Sequence, residues 1–215
     1  MKLYDYFRSS AAYRVRIALN LKGLSAEHIP IHLRRDGGLQ NKPAYRAINP
    51  AGLVPALVTD DGAVLGQSLA IVEWLEEVHP QPPLLPAEPL LRAQVRAAAL
   101  TVACDIHPLN NLRVLDHLEH RLGLDKAAVD GWYRHWIAVG FTALEAQLRP
   151  RSAGGPYAFG DAPGLADLCL VPQLANARRF NCPLDEFPTL LAVEAACNAL
   201  PTFQAAHPSR QADAE

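Results

Sequence analysis

Arg8-Ser9-Ser10 stands where a short strand pattern runs into a helix: Lys2 to Tyr6 alternates polar and apolar residues, and from Ala11 to Lys22 the apolar residues Val15, Ala18, Leu19 and Leu21 recur at helical spacing. A helix N-terminus carries partial positive charge and unpaired backbone N–H groups, so it favours anions. A thiolate is one such anion. A serine hydroxyl donating to sulfur there, helped by the helix dipole, would lower a bound thiol's pKa from about 8.5 towards neutrality and make it a nucleophile. The other reading of the two serines is capping, for which Ser is among the preferred residues. Gly66-Gln67-Ser68 repeats the pattern before a later helix, where side-chain and backbone donors suit a carboxylate and Ser68 serves equally as N-cap. Val54, ahead of Pro55, adds exposed backbone for pairing with a peptide-like ligand by strand addition. Together these features describe one polar, anionic ligand lying across a sheet edge.

A second group lies far along the chain, in Cys104-Asp105-Ile106-His107-Pro108-Leu109-Asn110-Asn111-Leu112-Arg113. Pro108 interrupts a long helical pattern and frees backbone groups locally, while His107, Asn110 and Arg113 follow at i, i+3 and i+6 near one face, where they would line a cleft. His117 and His120, with Asp116 and Glu119 between them, read as a solvated helix face rather than a metal site, and no metal is called for. Ser68 lacks the Gly-x-Ser-x-Gly elbow of a serine hydrolase. Arg14 and Arg16 are two apart on a helix and cannot face the same way, which fits a structural, buried salt bridge for one of them.

The elements that position these residues fall into two sets. After the first strand and helix, Gly23 offers a stop, and Glu27 to Leu33 reads as a second strand parallel to the first, making a βαβ unit. Asn49-Pro50-Ala51-Gly52 is a turn; Val54 to Thr59 and Ala63 to Leu65 form a hairpin about Asp60-Asp61-Gly62; Ser68 to Val78 is a helix ended by His79-Pro80. Pro55 stands at the mouth of the hairpin, where a cis Val54-Pro55 bond would turn the backbone. Pro80, Pro82, Pro83, Pro86 and Pro89 then form a stiff linker, which sets domains at 1–80 and 89–215 with 81–88 between them. Beyond it the periodicity is helical: Leu90 to Leu122 broken at Pro108, Asp125 to Leu148, Leu165 to Phe180 and Thr189 to Leu200, then a polar tail from His207 expected to fray. A net charge of -2 gives no reason to expect nucleic acid or an acidic membrane. No segment is apolar for long enough to span a bilayer, and the four scattered cysteines form no disulfide framework, so a reducing, cytoplasmic setting is expected.

Ser9-Ser10 followed by Arg14-Val15-Arg16-Ile17-Ala18-Leu19 resembles the signature of zeta-class glutathione transferases. Asn49-Pro50, Val54-Pro55, Gln67-Ser68, the proline-rich linker and Gly160-Asp161 leading to Ala166-Asp167 follow in that family's order, so the resemblance covers essentially the whole chain. It implies an α/β thioredoxin-like N-terminal domain plus an all-α C-terminal domain, with glutathione as cofactor and a homodimer as the assembly. The activity implied is cis-trans isomerisation of maleylacetoacetate or maleylpyruvate to the fumaryl form, in the breakdown of aromatic compounds. The resemblance further implies catalytic roles for Ser9, Ser10 and Arg8, and glutathione binding by Val54, Pro55, Gln67, Ser68, His107, Asn110 and Asn111. It also places Arg8, Arg113 and Arg178 on one cleft to hold the carboxylates of the small-molecule substrate, for which paired guanidinium donors are well matched. Ala11 and Tyr13 stand where eukaryotic members continue with cysteine and tryptophan, and Leu112 where some relatives carry another arginine. Gly164 takes the place of a hydroxyl N-cap in a box completed by Asp167. The other functions open to this chain are a transferase or dehalogenase acting on small alpha-halo acids, and a glutathione-binding module without catalysis.

Overall fold

The computed structural model describes residues 1–215 apart from the side chains of 151–153. Two compact units are present: Met1–Pro83 with Asn198–Glu215, and Leu84–Cys197.

In the first unit, β1 (Lys2–Asp5) leads into α1 (Ser10–Leu21) and β2 (Glu27–Pro30). After irregular turns and the short α2 (Pro43–Arg46) come β3 (Ala56–Val58), β4 (Val64–Gly66) and α3 (Ser68–Val78). The sheet order is β2-β1-β3-β4, with β1 parallel to β2 and antiparallel to β3, and β3 antiparallel to β4. This is the βαβ and ββα order of the thioredoxin-like expectation. β2 stops short of Leu33 because its partner β1 ends at Asp5, whose carbonyl still accepts the Ile31 N–H at 2.6 Å; Pro30, without an N–H, is tolerated on this edge strand. Leu3 faces Leu57 across the central pair, and both are fully buried, as are Val15 and Ile17 of α1 and Ile71 and Leu75 of α3. The Val54-Pro55 peptide is cis, ahead of β3.

The tail is a correction to the sequence reading. Instead of fraying from His207, the chain forms α9 (Pro201–Ala206) against α1, then a short 3-10 turn at Pro208–Arg210. Asn20 Nδ2 donates to the Thr202 carbonyl at 2.9 Å and Arg16 Nε to that of Ala206 at 3.0 Å. Residues 198–215 are therefore packed with the first unit, where the sequence reading had grouped them with the helices of 89–215.

In the second unit, the single pattern from Leu90 to Leu122 resolves into three parts. α4 (Pro89–Leu100) runs into a π-helical turn at Thr101–Ile106, and α5 (Leu112–His120) follows a turn centred on Pro108. α6 (Lys126–Leu148), α7 (Leu165–Arg179) and α8 (Pro188–Asn198) complete it. The wide turn carries Ile106 onto α6 at Gly140, where any Cβ would lie 2.3 Å from the isoleucine side chain. Gly164 has a similar reason. A Cβ there would stand 2.8 Å from the Leu84 carbonyl oxygen, which itself accepts the Leu165 N–H at 2.9 Å. The hydroxyl cap expected at that position gives way to this close approach. Capping passes to Asp167, whose carboxylate accepts the N–H groups of Gly164 (2.8 Å) and Ala158 (2.9 Å). Burial raises its pKa to about 6, against the lowering effect of those backbone donors.

Candidate functional site

Ser9 is the N-cap of α1, in extended geometry, and its Oγ accepts the Ala12 N–H at 3.2 Å. Capping and thiolate activation are therefore not alternatives. The hydroxyl oxygen takes the helix donor while its own proton remains to donate outward, the polarity a bound thiolate needs. Ser9 is half-buried and Ser10 buried, so the Ser9 hydroxyl is the more accessible of the two. Arg8 is exposed, its guanidinium 4.8 Å above the Phe7 ring.

The second helix N-terminus departs from the expected cap. Gln67, not Ser68, is the N-cap of α3, with φ 64° and ψ 114°, a conformation that costs a non-glycine residue of the order of 1–3 kcal/mol. Ser68 is the first helical residue. It is buried, and its Oγ accepts from Arg14 Nη1 at 3.2 Å. Since Arg14 belongs to α1, one buried guanidinium ties the two helix starts together. Gln67 is exposed at the junction. Val54 precedes β3, beyond the last ladder pairs Tyr4 with Ala56 and Ala56 with Gly66, at the same end of the sheet. Ser9, Val54, Pro55, Gln67 and Ser68 thus all stand at the end of the sheet where β1 leaves for α1 and β4 for α3.

The remaining candidates belong to the second unit. His107 ends the π-helical turn, and its N–H donates to the Val102 carbonyl at 2.9 Å. Asn110 is buried and donates through Nδ2 to the Tyr133 carbonyl at 3.1 Å, while Trp132 Nε1 donates to that of Leu109 at 2.9 Å. The turn after Pro108 is consequently pinned to α6. Asn111 caps α5 by accepting the Arg113 N–H at 3.2 Å, and the Arg113 side chain is exposed. Arg178 is half-exposed and forms a two-pronged ion pair with Glu194, one prong being Nε to Oε1 at 3.3 Å. That pair raises its pKa further and spends two of its donors. Leu112 is the first residue of α5.

The buried salt bridge expected of Arg14 or Arg16 is made by Arg16, with Asp5; its further partners, which hold the Ser9 loop, were not legible in the sequence. Arg16, nearly inaccessible, donates through Nη1 to Asp5 Oδ2 (3.1 Å), through Nη2 to the Phe7 carbonyl (3.0 Å) and through Nε to Ala206. Burial lowers its pKa despite Asp5. The signal was present as two arginines on an otherwise apolar helix, but one strand residue and a distant tail are its partners.

The family description "Glutathione S-transferase, N-terminal domain" matches residues 8–78. Over 214 residues, 99% of each chain, the sequence is 50% identical to a maleylpyruvate isomerase of a Ralstonia species. Among solved structures, a maleylpyruvate isomerase described as a bacterial zeta-class glutathione S-transferase superposes with a TM-score of 0.96 at 48% identity, over all of both chains. A maleylacetoacetate isomerase from Methylobacterium extorquens AM1, with bound malonate and glutathione, does so with a TM-score of 0.95 at 42% identity, again over all of both chains.

Proposed function

Since this chain belongs to the zeta class of the glutathione S-transferase family, we propose that it is a glutathione-dependent cis-trans isomerase converting maleylpyruvate or maleylacetoacetate to the fumaryl isomer. The observation that carries the reading is the geometry of Ser9, whose oxygen caps α1 and whose proton is left to donate. The donor set fits glutathione, a thiol with two carboxylates: a hydroxyl at one helix start, a polar pair at the next and backbone beside a cis proline. When bound, glutathione supplies a sulfur nucleophile that adds reversibly to the cis double bond, so that rotation follows and the thiol is returned unchanged. The chain's own part is to keep that thiol ionised through Ser9 and the α1 N-terminus, with Ser10 behind it. Gln67 and Ser68 take a glutathione carboxylate, Val54 and Pro55 present the peptide backbone, and His107, Asn110 and Asn111 are the helical-unit contacts of the same reading. The substrate carboxylates fall to Arg8, Arg113 and Arg178, whose charge also stabilises negative charge developing on the substrate. Given the Glu194 pair, Arg178 is the weakest of the three.

A cytoplasmic homodimer belongs to the same reading. Supporting it are Cys104, Cys169, Cys182 and Cys197, which form no disulfide among the described residues, and exposed apolar side chains such as Val64, Val78, Leu90 and Leu100, which a second copy would cover. Among the described residues no helix is long and apolar enough to cross a membrane.

The test is loss of maleylpyruvate and of maleylacetoacetate with and without glutathione, together with an assay of total glutathione. Conversion to the fumaryl isomer at constant glutathione is expected. Consumption of glutathione would instead indicate a transferase or dehalogenase, and no conversion of either compound would remove the isomerase. A subsidiary expectation concerns the strained cap: Gln67→Gly should raise the melting temperature, relieving about 1 kcal/mol or more of backbone strain, while weakening glutathione binding measured by titration calorimetry. An unchanged affinity would show that the Gln67 amide makes no ligand contact.

A further inference from the structure

We propose that the segment after α9 is a strap for the Ser9 loop, with Asp213 as a positioning residue for Ser9; the inference rests on the reading of Ser9 as the thiol-activating group. Phe7 lies between the end of β1 at Asp5 and the start of α1, so neither of its backbone polar groups has a partner in the ladder or the helix. Both are nevertheless satisfied. Its N–H donates to Asp213 Oδ2 at 3.1 Å, and its carbonyl accepts from Arg16 Nη2 at 3.0 Å. The Phe7 ring is buried against Tyr6, and the Tyr6 carbonyl in turn accepts the Ser9 N–H at 2.9 Å. With its donor and its acceptor both fixed, the loop has little freedom to move the residue two places on.

The strap is fastened at further points. Gln211 Nε2 donates to the carbonyls of Ala205 (2.9 Å) and His207 (3.0 Å), which holds the chain beside α9 as it leaves that helix. Beyond Asp213, the Glu215 side chain pairs with Arg35 and lies 3.3 Å from His32 Nε2. His32 Nδ1 accepts the N–H groups of Arg34 (3.1 Å) and Arg35 (2.8 Å), a role that puts the ring proton of the neutral form on Nε2, the nitrogen nearer the glutamate, without a hydrogen bond to it. The His32 ring packs edge-on to Tyr6 at 5.0 Å. Two carboxylates of one short segment therefore reach the Ser9 loop, Asp213 directly at Phe7 and Glu215 through His32 and Tyr6.

The experiment compares Asp213→Ala with Asp213→Asn, since the asparagine carbonyl can still accept from Phe7. Three quantities are read in each full-length protein: hydrogen exchange at the Phe7 amide, the pH midpoint of the thiolate absorbance of bound glutathione, and kcat and KM. In Asp213→Ala, faster Phe7 exchange, a higher thiolate midpoint and a kcat lower by about tenfold are expected, the scale for slight misplacement of a reacting group. Asp213→Asn should restore all three to near wild type, with KM for the substrate little changed throughout. An Asp213→Ala protein with an unaltered midpoint and kcat would overturn the inference, as would a loss in Asp213→Asn equal to that in alanine. A wild-type protein that binds glutathione without ionising it would instead overturn the reading of Ser9, and the strap's role with it.

Discussion

Ser9→Ala is expected to lower glutathione-dependent isomerisation by about 10²-fold or more at neutral pH, the scale seen when one preorganised donor to a developing or resident negative charge is removed. Two losses combine. Without the hydroxyl donor the bound thiol drifts back towards the free value of about 8.5, so the thiolate fraction near pH 7 falls by about an order of magnitude. The sulfur also loses the group that fixes its position, which accounts for the remainder. The pH profile separates this from damage to the fold. In wild type kcat/KM should level off just above neutrality, whereas in Ser9→Ala it should go on climbing until the free thiol titrates, since alkali restores by mass action what the serine supplied. Ser9→Thr keeps the hydroxyl and should retain much of the rate. Ser10→Ala, at a buried position, should stay within a few-fold of wild type. Losing the cap leaves the Ala12 N–H without its 3.2 Å acceptor and costs about 1 kcal/mol, which the protein can bear. A Ser9→Ala enzyme with the wild-type rate and profile would show that the serine only caps the helix.

What could be read in the sequence was whatever is encoded locally. Period-2 and period-3.6 patterns located β1, α1, the hairpin of β3 and β4, and α3, the last with the bounds Ser68–Val78 that the structure shows. Proline punctuation marked the linker and the break after α4, and both serine clusters fell at helix starts. The π-helical turn was not legible, because what favours it is Gly140 on α6, more than thirty positions on, making room for Ile106. The shift of the α3 cap from Ser68 to Gln67 was hidden for a like reason. Ser is the better cap by preference, but its hydroxyl is claimed by Arg14 from α1, and that contact exists only once the two helices pack. The tail misled most. Its polar composition reads as solvated chain, yet Gln211 is held to α9 and Asp213 to the Phe7 N–H. Composition reports the cost of burying such groups and is silent about partners two hundred residues away.

The same limitation applies to Lys22, where the largest effect on stability is expected. A lysine before Gly23 at a helix end reads as a surface residue interacting with the helix dipole, but its ammonium is inaccessible. Nζ donates to Glu76 Oε2 at 2.7 Å and to the carbonyls of His79 at 2.6 Å and Pro82 at 3.0 Å. One cation thereby joins the end of α1 to the last turn of α3 and to the first residues of the proline-rich linker. Lys22→Met fills the volume but removes three donors at once, leaving a largely buried carboxylate without its ammonium. Removing one member of a buried pair typically costs about 3–5 kcal/mol, and at roughly 2–4 °C per kcal/mol for a chain of this size the melting temperature should drop by about 10 °C. The double variant Lys22→Met with Glu76→Leu should recover part of that loss, since it removes the orphaned charge, but not all, since two carbonyls still lack their donor. Catalysis offers the control. Lys22 follows the last residue of a 12-residue helix that Ser9 caps, about 18 Å along the axis. At a temperature where the variant is folded, its thiolate midpoint and kcat should therefore stay near wild type. An unchanged melting temperature would mean that the ammonium is solvated and the joint unimportant. A kcat that falls in the folded variant would mean that strain at one end of α1 is transmitted along the helix to the serine at the other.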